Sequence, residues 1–213
     1  MSSRHEEAVV HLRKKDRVLR KVIEAAGPCT LKPGRDRFWM LVCSILSQQL
    51  STKSAETIRN RVDAALPART PEGFLKLSDA ELRSCGVSPQ KLGYLRDLCD
   101  CVGDGRVKLK NIHKKSDEEI TEELVQIKGI GVWTSHMFLM FSLGRPDVFP
   151  VGDLGVKSAI RHLYEFAEMP TDAEAHAIAK PWRPYATVAS WYLWRSLDLK
   201  KLAQQAAKKA VKP

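Results

Sequence analysis

Apolar residues recur along this chain at a helical period, and that period restricts it to helical folds. Phe38, Leu41, Val42, Ile45 and Leu46 fall at i, i+3, i+4, i+7 and i+8, one buried face of a helix that runs out near Ser47. The pattern and its breakers predict further helices from Thr52 to Leu66, stopped by Pro67, then Pro71 to Leu77, Ser78 to Ser84 and Ser88 to Val102. Ser116-Asp-Glu-Glu119 reads as a capping box, with Ile120, Leu124 and Ile127 continuing the apolar face. After the turn Lys128-Gly-Ile-Gly131 comes a nearly all-apolar helix, Val132 to Leu143, then a loop from Gly144 to Gly152. Helices from Asp153 to Tyr164, Thr171 to Lys180 and Pro184 to Leu197 complete the series. No alternating strand hairpin is evident, so the expected fold class is all-α.

A chain of 213 residues is long enough to bury a core without a disulfide or metal staple. Its net charge of +10 makes nucleic acid the leading partner, ahead of an anionic membrane or simple solubility. No apolar run approaches the ~20 residues of a membrane helix, and Met1 to Glu7 lacks the apolar core of a signal peptide. An intracellular protein is expected. The five cysteines (Cys29, Cys43, Cys85, Cys99, Cys101) lack zinc spacing and read as reduced structural thiols. Beyond Asp198 lie Lys200, Lys201, Lys208, Lys209 and Lys212 without an acid, a basic tail over 199–213 that reads as a solvated helix end. No internal repeat or linker is visible, so residues 1–213 are taken as a single domain.

The segment from Leu124 to His136 carries the most chemistry. A helix ends, Gly129 and Gly131 bracket Ile130, and a second helix opens at once. Glycine permits positive φ and lets a phosphate approach without meeting a Cβ. The amides opening the second helix then point outward, backed by its macrodipole, which makes a phosphate clamp that needs no charged side chain. Ile130 is expected to face inward. A plain helical corner would use the same glycines, but two apolar-faced helices in so basic a chain favour DNA-backbone binding.

Asp153 follows Pro150-Val-Gly152 and opens a helix. Capping is the commoner role for such a residue, but a cap also fixes a carboxylate at the helix start, so both roles can coexist. Trp182, Tyr185, Trp191, Tyr192 and Trp194 crowd into thirteen residues, where core packing and a stacking surface are both open readings.

These motifs together resemble the helix-hairpin-helix DNA glycosylases, within which the likeness is greatest to 3-methyladenine DNA glycosylase II. The residues that carry it are Leu124 to Ser135, Val148-Phe-Pro-Val-Gly-Asp153, Ser44 to Ser51, and Pro181 to Ala186 with Trp191-Tyr192. The likeness spans about residues 30 to 198 and favours the shorter members, without an added N-terminal β domain. It implies a two-lobed helical fold with its active site in the cleft between lobes, and a helix-hairpin-helix over about 117–143. It also implies a monofunctional enzyme that flips alkylated purines out of the duplex and hydrolyses their N-glycosidic bond, initiating base excision repair.

Residue by residue, the resemblance makes Asp153 the catalytic carboxylate and Trp133, Trp191 and Tyr192 the base pocket; Met137, one helical turn beyond Trp133, either lines the same pocket or packs in the core. Gln49 becomes the wedge that fills the gap left by the flipped base, with Leu50 second. Lys128, Gly129, Gly131 and Thr134 become hairpin contacts to DNA. Main-chain carbonyls of Val125, Ile127 and Ile130 become ligands of a structural Na⁺ or K⁺, with no other cofactor required. Bifunctional relatives carry a lysine nucleophile where this chain has Trp133, and an indole forms no Schiff base, so no lyase activity is expected. With no cysteine after Cys101, the iron–sulfur site of some relatives is not expected. Leu154-Gly155 departs from the family pattern just after the aspartate. The expected partner is damaged double-stranded DNA, with no membrane, bound by a monomer in the cytoplasm, nucleoid or nucleus. Two alternatives remain: a non-catalytic helix-hairpin-helix DNA-binding module, and a glycosylase for other damaged bases.

Overall fold

The computed structural model of the chain describes residues 5–210, with side chains described to residue 206. It is all-helical, with no strand among the described residues. In chain order the helices are α1 (Glu6–Lys15), α2 (Arg17–Ala26), α3 (Arg37–Ser47), α4 (Thr52–Ala65), α5 (Pro71–Leu75) and α6 (Asp79–Ser84). They continue with α7 (Pro89–Gly103), α8 (Asp117–Leu124), α9 (Val132–Phe138), α10 (Leu154–Leu163), α11 (Asp172–Ala179) and α12 (Ala186–Ala210). None of the described helices is long and apolar enough to cross a membrane. Two compact units result: one from Pro33 to Leu143, the other from the residues up to Lys32 together with those from Gly144 onward.

The unit from Pro33 to Leu143 is built on α3. Asp36 caps its first turn, accepting from the Trp39 N–H at 2.9 Å. The predicted face is fully realised: Phe38, Leu41, Val42, Ile45 and Leu46 are buried against α4, α7 and α9. Burying each such side chain contributes about 1.5–3 kcal/mol, so this one face anchors the unit. The capping box at Ser116 and Glu119 forms as read, with the Glu119 N–H donating to Ser116 Oγ at 3.1 Å and the Ser116 N–H to the Glu119 carboxylate at 2.7 Å.

Two boundaries around the hairpin differ from the sequence reading. α8 ends at Leu124 rather than Ile127, because the chain tightens into successive short turns: the Ile127 N–H donates to Leu124 O and the Ile130 N–H to Ile127 O. The apolar helix from Val132 changes at Leu139 into a π-helical turn that runs to Leu143.

In the other unit α2, α10 and α12 pack together, with α1 against α2. Asp16 ties them. Its Oδ1 caps α2 by accepting from the Val18 and Leu19 N–H groups at 2.8 and 2.9 Å. Its Oδ2 accepts from the Tyr164 hydroxyl at 2.6 Å and the Trp182 indole N–H at 2.7 Å. A buried carboxylate survives only when it is paired or hydrogen-bonded throughout, and four donors meet that demand. α12 extends past the expected Leu197, carrying exposed Lys200 and Lys201 on its solvated part. Of the other tail lysines, Lys208, Lys209 and Lys212 lie outside the residues whose side chains are described.

Candidate active site

The hairpin follows from two glycines with different tasks. Gly129 sits at φ +80°, and a Cβ there would fall 2.3 Å from the Tyr94 ring, so only glycine fits on both counts. Gly131 is extended, at φ −107° and ψ 179°, with open space where a Cβ would stand. It caps α9 without a side chain to accept from the first amides. Those amides are the orphan donors that a helix start presents to an anion. Ile130 is buried, as expected, and anchors the turn. Gln48 braces it: its side-chain amide donates to Gly129 O at 2.7 Å.

Lys128 is exposed, 3.6 Å from the Asp97 carboxylate, whose second oxygen accepts the Lys128 N–H at 2.8 Å. Thr134 lies in the first turn of α9. Its side chain is buried, so only its backbone can serve a DNA contact.

Beside the hairpin lies a cavity of about 580 Å³, lined by Met40, Cys43, Ser44, Ser47, Gln48, Gln49, Arg59, Trp133, Met137 and Phe141. Trp133 and Met137, predicted from the sequence as pocket residues, thus share one wall. Trp133 keeps 45% of its surface exposed. Gln49 joins them with φ +56°, in the left-handed region that side chains with a Cβ rarely adopt. Backbone strain of this kind costs about 1–3 kcal/mol and collects at functional sites. Leu50, next to it, is exposed. Burial pushes the Cys43 thiol up to about 11, with the charges of Arg59 and Arg69 pulling the other way, so the cavity wall carries a neutral thiol.

Sequence reasoning missed Arg59. The signal was present: Ala55, Ile58, Arg59 and Val62 fall at i, i+3, i+4 and i+7 on α4, so a guanidinium interrupts the inward stripe.

On the other unit, Asp153 is both cap and fixed carboxylate. Its Oδ1 accepts from the Val156 N–H at 2.8 Å, capping α10, and from the Trp194 indole N–H at 2.9 Å. Gly155 explains the departure from the family pattern. A Cβ there would stand 3.0 Å from Asp153 Oδ1 and 3.2 Å from the Trp194 ring, crowding the contact between them. Lys157 is occupied in an ion pair with Asp172 at 2.6 Å.

Trp191 is half-buried with its ring edge-on to Tyr192, centroids 4.9 Å apart. Tyr192 packs in the core of this unit. It is fully buried, and its hydroxyl donates to Gly27 O at 3.0 Å. A ring with no exposed face offers nothing to stack on.

An all-helical chain with a glycine hairpin, an indole-lined cavity and a helix-capping carboxylate defines a helix-hairpin-helix protein. The chain belongs to the HhH-GPD superfamily of base excision DNA repair proteins, whose family model matches residues 42–184. It is 32% identical over 201 residues to DNA-3-methyladenine glycosylase 1 of Schizosaccharomyces pombe, covering 90% of this chain and 87% of that protein. The crystal structure of a DNA-3-methyladenine glycosidase from Bacillus halodurans superposes with a TM-score of 0.79 at 38% identity, over 92% of this chain and 89% of that one. A fission-yeast 3-methyladenine DNA glycosylase in complex with abasic DNA gives 0.79 at 31% identity, over 89% and 95%.

Proposed function

We propose that this chain is a monofunctional DNA glycosylase that removes alkylated purines of the 3-methyladenine and 7-methylguanine type, leaving an abasic site for base excision repair. The observation that carries it is Asp153, held at the start of α10 by the Val156 amide and the Trp194 indole. The relatives named above carry 3-methyladenine in their names, which supports an alkylated purine as the substrate.

Breaking an N-glycosidic bond builds positive charge on the sugar, as in other glycoside hydrolyses with oxocarbenium-like transition states. A fixed carboxylate stabilises that charge and orients the attacking water. A purine methylated at N3 or N7 is cationic and already weakly bonded to its sugar. An indole attracts such a ring, which is the role of Trp133, with Met137 lining the same cavity.

Extrusion of the base costs a few kcal/mol and leaves a gap in the duplex. Gln49, with Leu50 adjoining, fills that gap. The hairpin at Gly129 and Gly131 holds a DNA phosphate on its amides, and Lys128 adds charge. Val125, Ile127 and Ile130 fit a structural monovalent cation: their carbonyls are hard oxygen donors, and Ile127 O keeps a lone pair beyond its bond from the Ile130 N–H. A bound cation there would add positive charge behind the phosphate.

Trp133 stands where lyases of the family carry their amine, so strand cleavage is excluded from the reading. The enzyme acts as a monomer on double-stranded DNA. The test uses end-labelled duplex carrying methylated purines, split before and after hot alkali. Breaks only after alkali support base removal without cleavage. Breaks in the untreated half overturn the monofunctional reading, and DNA binding without breaks in either half favours a binding module.

A further inference from the structure

The loop that carries Gln49 runs from Gln48 to Ser51, between α3 and α4. Its first backbone bonds are long: the Gln48 N–H reaches Ile45 O and the Leu50 N–H reaches Ser47 O, each at 3.3 Å. Both bonds point back to α3, and neither ties the loop to the hairpin. The side chain of Gln48 makes that tie, donating to Gly129 O at 2.7 Å across 81 residues of chain. A carbonyl only accepts, so it is the NH₂ end of the amide that faces it.

The hairpin end of this bond is held firmly by α7. The Tyr94 ring fills the place where a Cβ of residue 129 would stand. Asp97 Oδ2 accepts the Lys128 N–H at 2.8 Å. Lys91 Nζ, on the same helix, donates to Leu46 O at 2.9 Å, at the end of α3. Lys91, Tyr94 and Asp97 are successive i, i+3 neighbours. One helix therefore fixes both the end of α3 and the hairpin, and Gln48 closes the circuit between them. All of these residues belong to the unit from Pro33 to Leu143.

We propose that Gln48 is a positioning residue for base extrusion, holding the wedge at Gln49 at a fixed distance from the phosphate clamp of the hairpin. The inference rests on the glycosylase reading, with Gln49 as its wedge, and deepens it. In a duplex the covalent backbone sets the spacing between a phosphate and the neighbouring base step. A clamp on that phosphate drives a wedge into the stack only if clamp and wedge cannot move apart. With the bond to Gly129 O in place, the push against the stack is borne by the hairpin and α7. Without it the loop yields, and part of the cost of extrusion is no longer met. Gln49 already sits at φ +56°, a conformation that persists only where its surroundings hold it. The adjoining Gln48 supplies one such hold.

The test measures single-turnover release of 7-methylguanine at saturating enzyme from two duplexes. In one the lesion lies opposite cytosine; in the other it lies opposite a tetrahydrofuran abasic analogue, so that no base pair resists extrusion. Gln48→Met keeps the length of the side chain and removes the donor. Release from the paired duplex should fall by about three- to tenfold, the worth of one hydrogen bond. Release opposite the analogue should stay within about twofold of the parent's, because little extrusion cost remains there. Lys91→Met frees Leu46 O from outside the cavity lining and should show the same selective loss; it decides the matter should Gln48→Met not fold. Equal loss on both duplexes would make Gln48 a cavity wall or packing residue and overturn the coupling, as would no loss on either. A parent that binds both duplexes and releases 7-methylguanine from neither overturns the glycosylase reading, and this one with it.

Discussion

The indole N–H of Trp194 donates to Asp153 Oδ1 at 2.9 Å, and the same oxygen accepts the Val156 amide at 2.8 Å. One carboxylate oxygen is thus pinned by its own helix and by a helix forty-one residues on. Gly155 keeps the space that lets the indole arrive. Fixing a carboxylate this way removes the freedom it would otherwise lose at the transition state. On the proposed glycosylase reading, Trp194 is a positioning residue for Asp153.

Replacing Trp194 by phenylalanine keeps an aromatic ring and deletes the donor. Turnover is expected to fall by about tenfold, the worth of one charge-assisted hydrogen bond, with DNA affinity and the melting temperature nearly unchanged. Steady-state kinetics separate the cases: a drop in kcat at constant KM fits positioning, whereas a drop in melting temperature alone would make Trp194 a packing residue.

The two hairpin glycines should fail in different ways. Gly129→Ala meets both a φ of +80° and the Tyr94 ring at 2.3 Å, so it should cost about 2–4 kcal/mol in urea unfolding. Gly131→Ala meets nothing within 4 Å and should fold normally. Its methyl stands at the phosphate clamp, so DNA affinity should fall by about five- to tenfold, the worth of one hydrogen bond. Equal loss of stability in both variants would remove the functional distinction between them.

Alkaline stability reports the buried phenols. Burial and the adjacent Asp16 carboxylate push the Tyr164 hydroxyl well above its ordinary value, and burial pushes Tyr192 up to about 12. A raised phenol stays protonated in the folded state while the unfolded chain loses its proton from about pH 10. Stability from these groups is complete below that pH and declines as pH rises toward 12. Melting temperature measured from pH 8 to 12 should fall above 10, and Tyr164→Phe should shallow the decline. A flat profile would contradict the buried network.

Legibility in the sequence followed the range of the interaction. The capping box at Ser116 and Glu119 and the cap at Asp153 were readable to the residue, since each joins groups three apart. The α3 face was readable from its period. Glycine at 129 was readable as a turn, but not the Tyr94 ring that forbids any Cβ there. The link from Trp194 to Asp153, the burial of Tyr192, and the bonds from Tyr164 and Trp182 to Asp16 join distant segments, and no local pattern encodes them. α1 and α2 were not read, although Leu19, Val22 and Ile23 repeat at helical spacing behind Asp16. Arg59 was overlooked for a different reason: a charge in an apolar stripe looks like noise until the cavity it lines is seen.

Asp153 as the group that drives base removal is the central claim, and one comparison tests it most directly. Single-turnover release of 7-methylguanine is measured at saturating enzyme for the parent and for Asp153→Asn, alongside each protein's affinity for the same duplex. The asparagine keeps a cap for the Val156 amide. It should leave DNA binding within about threefold while lowering release by about 10²–10⁴-fold, the range for loss of a positioned acid–base group. Release at the parent's rate would contradict the account and move the chemistry to another residue.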